Sequence, residues 1–234
     1  MTKIYCAIDT SDILKATTLA KQVSEAGCGI KLGLEFFSCN GPVGIESISK
    51  SCPDAKIFLD IKLHDIPNTV AGALRGVARL GVSYVNCHAS GGLEMMKMGL
   101  EALEEESTKL GLSTPRFLAV TVLTSIDSQA LKSLGQGDNS SDQVIRLAKL
   151  TKDSGLSGIV CSGQEIQLIR GALGNDFVLM VPGIRPLGSD VGDQKRVMTP
   201  REAMDAGATH LVIGRPITGA KDPAQAAADI LGTL

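Results

Sequence analysis

Four charged residues stand inside segments that read as buried strands. Asp9 closes the run KIYCAID (3–9), Lys31 lies in GIKLGL (29–34), and Asp60 and Lys62 lie two apart in KIFLDIK (56–62), with Asp65 three residues further on. An unpaired charge in such surroundings costs several kcal/mol, so these groups must meet one another. Residues two apart on a strand face the same side, which puts Asp60 and Lys62 together. Asp9 and Lys31 come from neighbouring strands and are expected to reach them. The product is an alternating Lys–Asp–Lys–Asp array in which each charge holds its neighbour ionised. A lysine between two carboxylates keeps its proton, which makes it a poor nucleophile and a well-placed acid. Arrays of this kind occur at functional sites and as inert ion-pair networks, and four charges on buried strands favour the site.

A second constellation suits an anion. Gly183 and Gly214 allow close backbone approach, and Arg185 and Arg215 follow at once. Arginine offers paired donors matched to phosphate oxygens. Between Arg185 and Thr199 runs PLGSDVGDQKRVM, without helical or strand pattern. A loop of that length is either a closing lid, here carrying Gln194, or a solvated surface segment. The remaining chemistry-bearing residues read as structural. His64, His88 and His210 lack metal-ligand spacing, and no carboxylate–histidine cluster suggests a metal. Met95, Met96 and Met98 read as packing residues, and Glu104, Glu105 and Glu106 as a solvated helix face.

The elements that must position these groups alternate regularly. The three runs above are followed by SYVNCHA (83–89), RFLAVTVL (116–123), GIVCS (158–162), FVLMVPG (177–183) and HLVIGR (210–215), eight in all. Helical patterns lie between them. Ile13, Ala16, Ala20 and Val23 form one stripe ended by Gly27, and Leu93, Met96, Leu100 and Leu103 form another ended by Gly111. Thr199-Pro-Arg-Glu202 and Asp222-Pro-Ala-Gln225 read as helix starts, each with a capping side chain and a proline at the first helical position. Near-continuous apolar strands mean burial on both faces, hence a parallel sheet wrapped by helices. Eight such units in 234 residues, about 29 residues each, predict a single-domain α/β fold, a (β/α)8 TIM barrel spanning 1–234. An open doubly wound sheet is the alternative, but no G-x-G-x-x-G follows the first strand. In a barrel the strand ends and the loops after them form the site. They carry Asp9, Lys31, Asp60, Lys62, His88, Thr121, Thr124, Arg185 and Arg215.

Composition narrows the function classes. Hydrophobic residues make up 44% and charged residues 21%, which excludes a disordered chain. The formal charge is −2 and aromatics are 3%, so neither a basic patch nor a stacking platform for nucleic acid is expected, nor a surface for anionic lipid. The six cysteines show no C-x-x-C spacing and read as buried thiols in a reducing compartment. The N-terminal run reaches Asp9 before a signal sequence could form, and no apolar run has transmembrane length. A cytoplasmic protein is expected.

The segment Asp60-Ile-Lys-Leu-His-Asp-Ile-Pro-Asn-Thr69 resembles the orotidine 5′-phosphate decarboxylase family. The resemblance extends over the chain through AID, GIKLGLEFF, TVLTS, PGIRPLGSDVGDQKR and VIGRPIT. D-x-K-x-x-D alone is shared with sister sugar-phosphate enzymes; together with the later motifs it is specific. The resemblance implies decarboxylation of orotidine 5′-monophosphate to UMP, the last step of de novo UMP synthesis, without cofactor or metal. It implies Lys62 as proton donor to C6, Asp60 beside the substrate carboxylate, and Lys31 and Asp9 on the ribose hydroxyls. Asp65 would complete the array from the partner subunit of a homodimer, arriving with Ile66 and Thr69. Thr124 would contact the pyrimidine, and Arg185, Gln194, Gly214 and Arg215 the phosphate. The alternative is a Mg2+-dependent sugar-phosphate decarboxylase or aldolase of the same barrel group. Those relatives place an acidic metal ligand near the second strand, where this chain has Lys31. A non-catalytic phosphate sensor would keep the arginines but has no use for Asp60, Lys62 and Asp65 together.

Overall fold

The computed structural model describes residues 2–137, 139–187 and 198–234. Eight strands appear where the apolar runs predict them: β1 (Ile4–Ile8), β2 (Gly29–Gly33), β3 (Ile57–Leu63), β4 (Tyr84–His88), β5 (Arg116–Val120), β6 (Gly158–Val160), β7 (Val178–Val181) and β8 (His210–Ile213). They pair in parallel and in sequence order, and β8 pairs with β1, so the barrel is closed. Helices follow the strands, and the β8–β1 pairing settles the choice between a closed barrel and an open sheet.

Strand alternation divides the apolar residues into two layers. Tyr5, Ala7, Phe58, Leu118, Val160, Met180 and Val212 fill the barrel interior. Ile4, Cys6, Ile8, Ile57 and Leu59 face outward and join the helices' buried faces in the larger core. Space inside is tight: a Cβ on Gly29 would lie 2.6 Å from the Tyr5 ring, so the aromatic at the start of β1 requires glycine opposite it. The Ile13–Glu25 helix buries Ala16, Ala20 and Val23 with Leu19, and Asp12 caps its start. The Gly92–Leu110 helix ends at Gly111 in the left-handed conformation, as a glycine stop requires. Thr199 and Glu202 form a reciprocal capping box. Asp222 caps its helix, but Gln225 donates to Asp229 instead of reaching back.

Three expectations need correction. Leu93 is exposed, because it sits in the first turn of its helix, before the stripe meets the barrel. Glu106 is buried and accepts a 2.7 Å ion pair from Arg79, so the three glutamates are not one solvated face. Cys39 is exposed, whereas the other five cysteines are buried. The methionine reading holds for Met95 and Met96, both fully buried.

Candidate active site

The four strand charges converge at the C-terminal mouth of the barrel. Lys31 Nζ lies 3.1 Å from Asp9 Oδ1 and 3.4 Å from Asp60 Oδ2, and Lys62 Nζ lies 2.6 Å from Asp60 Oδ1. The order Asp9–Lys31–Asp60–Lys62 is the alternation expected from spacing. Burial alone would push the Lys31 pKa down, but Asp60 and Asp9 outweigh it and hold the ammonium above the usual lysine value. Burial likewise opposes the Asp60 charge, yet Lys31 and Lys62 hold its carboxyl below the usual carboxylate range. Gly33 makes room for this: a Cβ there would stand 3.1 Å from Lys31 Nζ.

The array lines one side of a cavity of about 590 Å³, and Arg185, Gly214 and Arg215 line another. Val120, Val160 and Val212, the upper part of the inner core, form an apolar floor. Thr124 lies on the wall shared with a smaller adjoining cavity of about 210 Å³. Arg185 is buried, and its Nη1 donates to the Ile184 carbonyl at 2.9 Å. Arg185 N–H donates to the Met198 carbonyl at 3.0 Å and Ile184 bridges Met198, while residues 188–197, most of the expected lid, lie outside the described residues. Gln194 lies outside the described residues. Among the described residues no group of three histidine, cysteine or acidic side chains is placed to hold a metal ion.

The sequence profile of the orotidine 5′-phosphate decarboxylase / HUMPS family matches residues 2–230. The chain belongs to this family. A protein of Rhodospirillum rubrum named orotidine 5′-phosphate decarboxylase is 52% identical over 99% of this chain and 93% of its own length. A namesake from Paramagnetospirillum magneticum is 49% identical over 99% of this chain and 97% of its own. The crystal structure of orotidine 5′-phosphate decarboxylase from Lactobacillus acidophilus superposes with a TM-score of 0.87 at 34% identity, covering 100% of this chain and 99% of that one.

Within this family fold, three of the expected site residues do not reach their own chain's cavity. Asp65, Ile66 and Thr69 are exposed on the turn after β3 and in the first turn of the Pro67–Ala78 helix. Asp65 Oδ1 accepts from the Ile66 N–H at 2.7 Å, and Ile66 is 67% exposed.

Sequence reasoning missed Asn86. This β4 residue is fully buried beneath the array. Its Nδ2 donates to Asp60 Oδ1 at 2.7 Å and its Oδ1 accepts from the Lys62 backbone N–H at 2.8 Å. A signal was present: an asparagine two residues after Tyr84, on the inward face of an apolar strand, must find partners. His64 and His88 lie beside Lys62 with ring centroids 5.4 Å apart. Burial, then His64 and Lys62, keep the His88 pKa below the ordinary histidine value.

Proposed function

We propose that this chain converts orotidine 5′-monophosphate to UMP, the closing step of pyrimidine nucleotide synthesis, as one domain of residues 1–234 acting without metal or cofactor. The observation that carries the reading is the unbroken Asp9–Lys31–Asp60–Lys62 array facing Arg185 and Arg215 across one cavity. The phosphate is assigned to Arg185, Gly214, Arg215 and Gln194, the ribose hydroxyls to Lys31 and Asp9, and the pyrimidine to Thr124 over the apolar floor. The substrate carboxylate then lies by Asp60 and C6 by Lys62.

In the reaction the bond from C6 to the carboxyl carbon breaks, its electron pair stays on C6, and CO2 leaves. The pyrimidine offers that pair no conjugated sink, so the site must stabilise charge at one carbon. A preorganised ammonium does so best where water is excluded. Lys62 stabilises the charge and delivers its proton to C6, giving UMP. Phosphate binding, remote from C6, contributes binding energy that can be used in the transition state.

The exposed Asp65, Ile66 and Thr69 are assigned to the cavity of a second copy, which makes the working unit a homodimer with shared sites. An exposed apolar side chain, Ile66, beside an exposed aspartate whose hydrogen bond in its own chain is to the adjacent Ile66 N–H supports this. Among the described residues no helix is long and apolar enough to cross a membrane, and all six cysteines are free; a cytoplasmic location fits the thiols.

The Mg2+-dependent alternative is disfavoured by Lys31, whose ammonium occupies the space between two carboxylates that a divalent ion would need. Loss of orotidine 5′-monophosphate absorbance, followed with and without EDTA, tests the reading. Turnover unaffected by chelator is expected. Activity lost in EDTA and restored by Mg2+ would favour the sugar-phosphate enzymes, and no turnover on this nucleotide would refute the assignment.

A further inference from the structure

Lys62 has φ +48°, and among the described residues it is the one non-glycine with positive φ. Left-handed backbone is unfavourable for a residue that carries a side chain and persists only when its surroundings enforce it. The ladder explains how it arises. Leu59 pairs with Val85 and Leu63 with Cys87, so three residues of β3 stand opposite the single residue Asn86 of β4. Two extra residues are thus inserted at the point where the array is built. Regular strand geometry would have provided a β4 carbonyl for the Lys62 N–H; the bulge removes it, and a buried N–H cannot stay without a partner.

The Asn86 side chain fills that gap. Its carbonyl oxygen takes the Lys62 N–H, and its amide N–H holds Asp60 Oδ1, the same oxygen that receives the Lys62 ammonium. One planar amide therefore fixes both ends of the Asp60–Lys62 pair: the backbone from which the lysine springs and the carboxylate on which it rests. Asn86 is fully buried and does not line the cavity, so it touches no substrate.

We infer that Asn86 is the positioning residue of the proton donor, locking the β3 bulge so that the Lys62 ammonium is held on Asp60 and aimed into the cavity. The inference rests on the decarboxylase reading above. Displacement of a reacting group by about 1 Å costs on the order of 10²-fold in rate. Asn86→Ala should therefore lower kcat by about 10²-fold while KM for orotidine 5′-monophosphate and the dissociation constant for UMP stay within about threefold of wild type.

Asn86→Asp separates positioning from mere packing. With its proton on, the introduced carboxyl reproduces the amide, accepting from the Lys62 N–H and donating to Asp60. With the proton gone, two carboxylates face each other and the lock opens. The groups that bias this titration are Asp60 and Lys62 on β3, Lys31 on β2 and His88 on β4 with His64 against it; β5 presents only Leu118 opposite Asn86. The ratio of Asn86→Asp to wild-type kcat should rise at least about tenfold from pH 8 to pH 5. A flat ratio, or an Asn86→Ala enzyme within threefold of wild-type kcat, overturns the inference. Should Asn86→Ala fail to fold, the Asn86→Asp ratio decides alone. A wild type without turnover on orotidine 5′-monophosphate would refute the decarboxylase reading and this inference together; an active wild type with a flat ratio refutes this inference only.

Discussion

The two ends of the barrel both bury polar side chains, and they satisfy them by opposite means. Towards the N-terminal end, Tyr5, Tyr84 and His210 form an edge-to-face aromatic cluster with Phe58, which also lines the cavity above, with ring centroids 5.3–6.3 Å apart. Its polar tips form a neutral relay. His210 Nδ1 lies 2.9 Å from the Thr2 carbonyl, which can only accept, so Nδ1 carries the proton and Nε2 accepts from the Tyr84 hydroxyl at 2.9 Å. At the C-terminal end the same interior layer carries four formal charges around a cavity. A neutral relay meets hydrogen-bonding needs without the desolvation cost of ions. The ion array carries that cost, and the proposed decarboxylation gives it a chemical reason.

The largest effect expected follows from that difference. Lys62→Ala should abolish decarboxylation, with kcat lower by at least about 10⁴-fold, since on the proposed reading the ammonium is both charge stabiliser and acid. The fold should survive, because Asp60 keeps Lys31 and Asn86 as partners. Activity within tenfold of wild type would show that the array is only an ion-pair network, and the contrast between the ends would lose its meaning.

A second expectation is that the C-terminal end is incomplete in one chain. Lys62→Ala and Asp65→Asn chains, each nearly inactive, are mixed and allowed to exchange subunits. On the shared-site reading one site of each heterodimer carries both lesions and the other carries none. Random pairing gives about half heterodimers, so roughly a quarter of wild-type activity per site should return. If Asp65 acts only as a partner for the Ile66 N–H within its own chain, both sites stay damaged. Flat activity, with exchange verified by mass spectrometry, would remove the shared site and leave the decarboxylase standing.

How much of this was legible in the sequence follows from periodicity. The eight strands and their order could be read because buried parallel strands are near-continuous apolar runs, and the charges in them stood out against that background. The Asp60–Lys62 contact was anticipated from period-two spacing, yet the strand there is not regular: the bulge and the left-handed Lys62 bring the groups together by another route. A bulge leaves no trace in polarity, since Leu59, Ile61 and Leu63 alternate with Asp60 and Lys62 as a regular strand would. Asn86 was overlooked because its partners belong to a neighbouring strand 24 and 26 residues away. His210 read as an ordinary histidine because its partners, Tyr84 and Thr2, are 126 and 208 positions distant. Glu106 is similar, since Glu104 and Glu105 before it are exposed and the partner that distinguishes it, Arg79, is distant in sequence.

The smallest effect belongs to the N-terminal end and concerns pH. Burial first, and Arg116 further, work against a proton on His210, and its pKa lies below the ordinary histidine value despite the Thr2 carbonyl, which favours the charge. The groups around it are Tyr5 and Tyr84 from β1 and β4, the latter bonded to Arg116. A depressed native pKa means the unfolded chain binds the proton first. The stabilisation from neutral His210 is therefore complete above about pH 6.5 and is lost as pH falls through the native value. The array responds in other windows. The Asp60 contribution is complete above about pH 4 and lost as pH falls through its lowered native value. That of Lys31 is complete below about pH 10.4 and lost as pH rises through its raised one. Replacing His210 by phenylalanine keeps an aromatic ring of similar size and leaves the Tyr84 hydroxyl without its acceptor. Denaturant unfolding at pH 8 should show a loss of about 1–3 kcal/mol. At pH 5.5 the gap to wild type should narrow, because the variant lacks the group that titrates; His88 titrates in both proteins and cancels in the difference. The kcat on orotidine 5′-monophosphate should stay within about twofold, since the relay lies at the far end of the barrel from the cavity. A tenfold fall in kcat at unchanged stability would mean that the neutral end also serves the chemistry, and the division of labour between the two ends would have to be abandoned.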